Sequence, residues 1–407
     1  MWIIMRVIIA VVLLFLLEYY FVKKLKTVFK NLFSRFSTKN QKIFIYVFLA
    51  VLNLYPVLLI VNSIYAAITK QSPWFPDSNW LDYLLIYPFW FLFILVLQLV
   101  VYYLALDLIK LIVFPLYKKN KEKFSKYESI IFLILLLFFV VYIPARIIYD
   151  YNSVDVNHIS FYKKNLPEEL NNFKIAFISD IQADRYTDDK RLKNFIDKVN
   201  DEKPDLILIA GDVITSTPDY INEAAEYIGM LNAEYGVYSC IGDHDNWAYR
   251  QDTKRSVREI TAALKKYNVS MINDSSINIP VKDSDIGITF ATNTYVESIS
   301  KDILNNLTQS NTGDLKIFLT HQPRNETIQA AEKNNYDLYL AGHTHGGQIT
   351  LLFPFIQLTP TLVETTFIKG VRHYGNMLAI VTRGLGMSLA PVRYNSTPEI
   401  VIISLKK

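Results

Sequence analysis

Two different spacings of apolar residues divide the chain. Up to about residue 150 the sequence is built from long apolar runs, at 3–22, 43–68, 83–106 and 130–148. Each approaches or exceeds the roughly 20 residues that a helix needs to cross a hydrocarbon core. The pattern predicts about four transmembrane helices, the third continuing past Asp107 and Lys110 to Leu116, with Pro56 kinking the second and Pro144 near the end of the fourth. Past residue 171 the runs shorten. Stretches rich in β-formers at 173–179, 206–210, 237–241, 286–291, 315–319, 338–341, 378–382 and 400–404 alternate with helical periodicity at 188–200, 219–232, 252–267 and 324–334. Asp188, Asp219 and Asp252 stand where helix caps belong. That alternation predicts an α/β domain with a largely buried sheet. The expected organisation is a membrane domain over 1–150, a polar linker over 151–171 containing Pro167, and a globular domain over 172–407.

Composition agrees with this division. Of 407 residues 51% are hydrophobic, and the excess lies before residue 150. The first apolar run reads as an uncleaved signal anchor, since no small-x-small site follows it. Lys23, Lys24, Lys26, Lys30, Arg35, Lys39 and Lys42 separate runs one and two; Lys118, Lys119, Lys121, Lys123 and Lys126 separate three and four; the remaining loop has Lys70 against Asp77. The positive-inside rule makes the two basic loops cytoplasmic and the globular domain extracytoplasmic. Tyr19, Tyr20, Trp74, Trp80, Tyr117 and Tyr149 suit interfacial belts. Glu18, Asp107 and Lys110 are unpaired in sequence and fall near the ends of the runs, so nothing points to a transport path. The net charge of +4 arises in the membrane loops and gives no support for nucleic-acid binding. Cys240, the single cysteine, excludes an intrachain disulfide.

Chemistry collects at the ends of five strands: Asp180 and Gln182; Asp212; Asp243, His244 and Asp245; His321; and His343 with His345. Ligand sites in α/β sheets lie beyond the carboxyl ends of strands. In an extended segment the His-x-His spacing would put both rings on one side, and imidazole is the commonest metal ligand. Taken singly, a Gly-Asp turn or a core histidine explains each residue; as an ordered set they point to one metal centre.

Ser-Asp-Ile-Gln (179–182), Ala-Gly-Asp-Val (210–213), Ile-Gly-Asp-His-Asp (241–245), Thr-His-Gln-Pro (320–323) and Ala-Gly-His-Thr-His-Gly-Gly-Gln (341–348) resemble, in order and spacing, the five motif blocks of the calcineurin-like metallophosphoesterases. Thr-Arg-Gly-Leu-Gly (382–386) and Pro-Glu-Ile (398–400) resemble the membrane-associated, YkuE-like subgroup. The resemblance implies a four-layer α/β/β/α sandwich and two divalent metals (Mn, Fe or Zn). Asp180 and His345 would hold the first metal, with Gln182 at a position the family usually gives to histidine. Asp212 would bridge, and Asp243, His321 and His343 would hold the second. His244, paired with Asp212 or Asp245, would stabilise the transition state or protonate the leaving group, and Arg185, Arg324 or Arg383 would clamp a phosphate. Asp243 replaces the family's usual asparagine, which would tighten the second metal and disfavour an anionic substrate. Asp184 is a further carboxylate near the first metal, expected to be a solvated loop residue. The apolar loop 351–361 is a candidate to rest on lipid or receive an acyl chain.

The expectation is a membrane-anchored phosphohydrolase. It would cleave a phosphodiester, pyrophosphate or phosphomonoester, with lipid and envelope compounds foremost. The rivals are a degenerate domain that binds a phosphorylated ligand and signals, supported by Gln182 and Asp243, and a transport protein with an accessory domain.

Overall fold

A computed structural model describes residues 2–69 and 78–407. Lys70, Trp74 and Asp77 of the expected second loop lie outside the described residues. Packing divides the chain into two units, Met1–Ile148 with Leu351–Gln357, and Tyr149–Thr350 with Leu358–Lys407.

The first unit holds α1 (Trp2–Leu32), α2 (Thr38–Thr69), the single turn α3 (Asn79–Leu81), α4 (Tyr87–Tyr117) and most of α5 (Lys121–Asn152). Among the described residues two stretches are long and apolar enough to cross a membrane, Thr38–Ala66 and Asn79–Asn152. The second runs through both α4 and α5, because the basic segment expected as a loop is itself helical, a 3-10 turn at Lys118–Asn120 followed by the start of α5. Likewise α1 carries Lys23 to Lys30 within the helix. The charges read as unpaired are in fact paired between helices. Lys24 Nζ lies 2.6 Å from Asp107 and 2.7 Å from Glu128, and Lys110 Nζ lies 2.6 Å from Glu128. Glu18 accepts a bond from Asn53 at 2.7 Å. The partners are far apart in sequence, so the pairing is a product of helix packing.

The second unit continues through β1 (Asp155–Tyr162), β2 (Lys174–Ile178), α6 (Asp189–Asp201), β3 (Leu206–Ile209), α7 (Ile221–Ile228), β4 (Val237–Ser239), α8 (Thr253–Lys265), β5 (Val269–Met271), β6 (Ser275–Val281), β7 (Ser284–Ala291), α9 (Lys301–Ser310), β8 (Leu315–Thr320), α10 (Asn325–Lys333), β9 (Leu338–Ala341), β10 (Gly370–Tyr374), β11 (Met377–Val381) and β12 (Glu399–Lys406). Two six-stranded sheets result, ordered β1-β12-β2-β3-β4-β5 and β10-β11-β9-β8-β7-β6. Three apolar cores show the layering. Ala176, Ile178, Ile207 and Ile209 pack with Leu192, Phe195, Ile228 and Ile260 from the first helical layer. The alternate residues of the same strands, Ile175, Phe177, Leu206 and Leu208, meet Ile288, Ile317 and Leu340 of the other sheet. Phe318, Tyr339 and Ala379 face Leu304, Ile328 and Ala331 on the far side. The fold is therefore a four-layer α/β/β/α sandwich. Its strands are apolar on both faces because both faces are covered.

The stretch read as a linker holds a strand instead. β1 pairs in parallel with β12 over its whole length, from Asp155 opposite Glu399 to Tyr162 opposite Lys406. It forms a sheet edge with a largely exposed face, so its side chains alternate too weakly to announce a strand.

Candidate metal centre

β2, β3 and β4 of one sheet and β8 and β9 of the other end at one place, and the loops after β2, β3 and β9 run in unusual backbone. Asp180 (φ 52°), Gln182 (φ 52°), Asp212 (φ 57°), His343 (φ 71°) and His345 (φ 49°) all lie in the left-handed region. Such conformations cost free energy and persist only where the surroundings over-determine them. Asp245 supplies much of that constraint. Its buried carboxylate accepts from the backbone N–H groups of Asp212 (3.0 Å), Val213 (2.8 Å) and Gly242 (2.8 Å), tying two loops together. Asp212 Oδ1 accepts from His244 N at 2.8 Å, and Asp180 from His343 N at 3.0 Å. Glycine is required where these loops touch: a Cβ on Gly242 would lie 2.2 Å from Asp212 N, and one on Gly342 1.8 Å from Ser179 Oγ.

This backbone separates the two rings of the His-x-His motif, which an extended segment would have put side by side. His343 Nδ1 lies 2.8 Å from Asp243, whereas His345 Nε2 lies 3.4 Å from Asp180. His321 Nε2 stands between carboxylates, 3.4 Å from Asp212 and 3.2 Å from Asp243. Two overlapping donor groups result, Asp180–Asp212–His321 and Asp243–His321–His343, each with its ligand atoms within 4.8 Å of one another.

The electrostatics fit cations. Burial raises Asp212 well above the usual carboxylate range, and Asp180, Asp243 and Asp245 push it further against the pull of His321. Burial would also raise Asp243, but its bonds to His321 and His343 hold it well below. Burial opposes charge on His321, yet Asp212 and Asp243 outweigh it and lift the imidazole well above its ordinary value. Carboxylates are thus concentrated in a dry site where divalent cations would relieve their repulsion. Gln182 Oε1 is buried without a hydrogen-bond partner among the described residues, as a ligand atom facing a cation would be. Gln182 Nε2 meanwhile donates to Asp212 Oδ2 at 2.7 Å.

His244 is not paired with Asp212 or Asp245 through its ring, because Asp245 is spent on backbone N–H groups. Its Nδ1 bonds the Thr215 carbonyl and its Nε2 lies 2.9 Å from Ser388 Oγ. A carbonyl only accepts, so Nδ1 carries the proton and Nε2 accepts from the serine. Burial lowers the ring to about 4. The Arg383 guanidinium is committed to Glu399 and Asp155, each at 2.9 Å, and Arg185 lies over the Tyr186 ring. Asp184 is no solvated loop residue: it closes a turn by accepting from Tyr186 N, Thr187 N and Thr215 Oγ1.

Several neighbours had no sequence signal. Glu364 meets His343 Nε2 at 3.0 Å, and Gln322 donates to both oxygens of Asp243, at 3.0 and 2.7 Å. Arg393 is fully buried with its donors on carbonyls of Arg383, Gly386 and Ser396 and on His345 Nδ1. Gln322 lies inside the Thr-His-Gln-Pro block, which gave it no role of its own, whereas Glu364 and Arg393 arrive on irregular loops, where spacing carries no information.

Residues 173–347 match the calcineurin-like phosphoesterase family. An uncharacterized metallophosphoesterase of Campylobacter jejuni is 28% identical over 305 residues, 74% of this chain and 77% of that protein. The uncharacterized metallophosphoesterase YkuE of Bacillus subtilis is 30% identical over 249 residues, 59% of this chain and 82% of its own length. A transmembrane protein with a metallophosphoesterase domain from Danio rerio is 27% identical over 60% of this chain and 55% of that protein. With its motif residues gathered at the strand ends of a four-layer sandwich, and with YkuE matched over most of its length, the chain belongs to the calcineurin-like metallophosphoesterases.

Proposed function

We propose that this chain is a membrane-anchored, two-metal phosphohydrolase. The observation that carries the reading is the pair of donor groups meeting at His321 in a buried site rich in carboxylates. Asp180, Gln182 and His345 would hold one cation, Asp243, His321 and His343 the other, and Asp212 would bridge them. The bound cations would supply Lewis acidity to a phosphoryl group and to an attacking water. The chain's own residues do the rest. Asp245 fixes the loops that carry Asp212 and Asp243, Glu364 orients His343, and Arg393 supports His345. The Ser388 hydroxyl, bonded to His244 Nε2, sets the direction in which that ring meets substrate.

Two apolar stretches of membrane-crossing length, and a relative named as a transmembrane protein, support the anchor. The basic segments between the apolar runs support an extracytoplasmic site. Leu389 beside Ser388 is 94% exposed and Val363 beside Glu364 is 89% exposed. Such apolar side chains next to a phosphoryl site suit an amphiphilic, lipid-linked substrate.

Metal-loaded full-length protein, assayed on a panel of mono-, di- and pyrophosphate esters, should hydrolyse at least one of them. Retention of metal without any hydrolysis would contradict the enzymatic reading. It would favour the second one, a ligand-binding domain, which the Gln182 amide donating to Asp212 supports.

A further inference from the structure

A cavity of about 420 Å³ has Asn293, Thr294, Tyr295, Ser298, Gln322 and Arg324 in its wall. Two of these residues also hold Asp243. The backbone N–H of Tyr295 donates to Asp243 Oδ1 at 2.6 Å, and the Gln322 amide donates to both its oxygens. The cavity therefore adjoins the candidate metal centre along the side where Asp243 sits.

Arg324 is the cation in this wall, and it is held in an uncommon way. Both of its hydrogen bonds run to the neutral Gln322 Oε1, from Nε at 2.9 Å and from Nη2 at 2.6 Å. It makes no ion pair among the described residues. The bond to His343 and, more weakly, the Arg324 charge hold the Glu364 carboxyl below its ordinary value, and Glu326 lies 3.7 Å from Lys301. A guanidinium positioned by an amide keeps its charge and its remaining N–H groups for an anion of matching geometry. A single amide group links it to Asp243, which suits two phosphoryl groups joined by one oxygen. The rest of the wall is amide and hydroxyl with Ile299 and Leu304 and one carboxylate, Glu326, which Lys301 faces at 3.7 Å, so it suits a polar arm beyond the phosphoryl groups.

We propose that this cavity receives a second phosphoryl group, so that the substrate is a pyrophosphate. The proposal rests on the phosphohydrolase reading and deepens it. Water oxygen bonds to the phosphorus over the metal centre, and the bond from that phosphorus to the bridging oxygen breaks. The electron pair leaves on the bridging oxygen of the second phosphoryl group, where Arg324 offsets the new charge. The water's proton passes to solvent.

The test is calorimetric binding of methylphosphonate and methylenediphosphonate to Mn²⁺-loaded full-length protein in detergent. The wild type should bind the diphosphonate at least about 30-fold more tightly, and Arg324→Gln should cut that ratio to about threefold or less. Arg324→Lys, which keeps charge but not the fork, should fall between, with melting curves confirming that both variants are folded. A ratio unchanged by Arg324→Gln, or equal affinities in the wild type, would overturn this proposal alone. Failure of the wild type to bind either probe would overturn the phosphohydrolase reading with it.

Discussion

At the scale of single residues, the site is held together by Asp245, which touches three backbone N–H groups and no ring. Asp245→Ala would leave those buried donors unpaired, at a cost of about 3 kcal/mol measured by denaturant unfolding. A loss near zero would mean that the loops hold their left-handed residues without it. The motif carboxylates and imidazoles were legible as residue types in order. What was hidden is how each is turned. The left-handed backbone at His343 and His345 sends one ring to Asp243 and the other to Asp180, a divergence that a two-residue spacing does not reveal. Glu364, Ser388 and Arg393 were hidden for a related reason, since irregular loops deliver them.

Away from the centre, Asp274 offers a pH test. Burial raises its carboxyl, only partly offset by bonds from Thr292. The unfolded chain then releases this proton first as pH rises, so the folded state binds more protons in that window. Stability from this group is present below the ordinary carboxylate range and is lost as pH climbs through the raised folded value. Replacing Asp274 with Asn should flatten the fall in unfolding free energy just above pH 4. An unchanged slope would assign it to other groups.

At the scale of elements, alternation located the central strands well, because strands buried on both faces are continuous apolar runs. The edge strands escaped. β1 falls within the expected linker, and β5, β6 and β10 carry no legible strand pattern, because exposed edges carry polar residues. A fragment starting at residue 149 should therefore be soluble and cooperatively folded, whereas one starting at 172 should expose the edge of β12 and aggregate. Equal behaviour in sedimentation and thermal melting would make β1 dispensable. The capping aspartates Asp188 and Asp252 were more legible, since a cap is local chemistry, whereas Asp219 lies inside a 3-10 turn whose cap is Thr217. Asp188 accepts from Arg191 N at 3.1 Å, and Asp188→Ala should cost about 1 kcal/mol in the same unfolding measurement.

At the scale of the whole molecule, hydropathy divided the chain into a helical and an α/β part. It missed the ion pairs linking Lys24 and Lys110 with Asp107 and Glu128, since partners such as Lys24 and Glu128 stand 104 positions apart. Pairing of this kind satisfies charges between helices without needing a transport path. If the apolar helices anchor the chain, the protein should stay with the membrane fraction through an alkaline wash; release into the supernatant would contradict the anchor.

The central claim is that Asp180, Asp212, Asp243, His321, His343 and His345 together hold metal. It is tested most directly by the metal content of purified full-length protein, determined by mass spectrometry beside Asp212→Asn and His321→Ala. The account predicts about two divalent ions per wild-type chain and a loss of one or both in each variant, with binding weakened about 10-fold or more. Metal-free wild type after equilibration with Mn²⁺, Fe²⁺ and Zn²⁺, or variants that retain both ions, would contradict it.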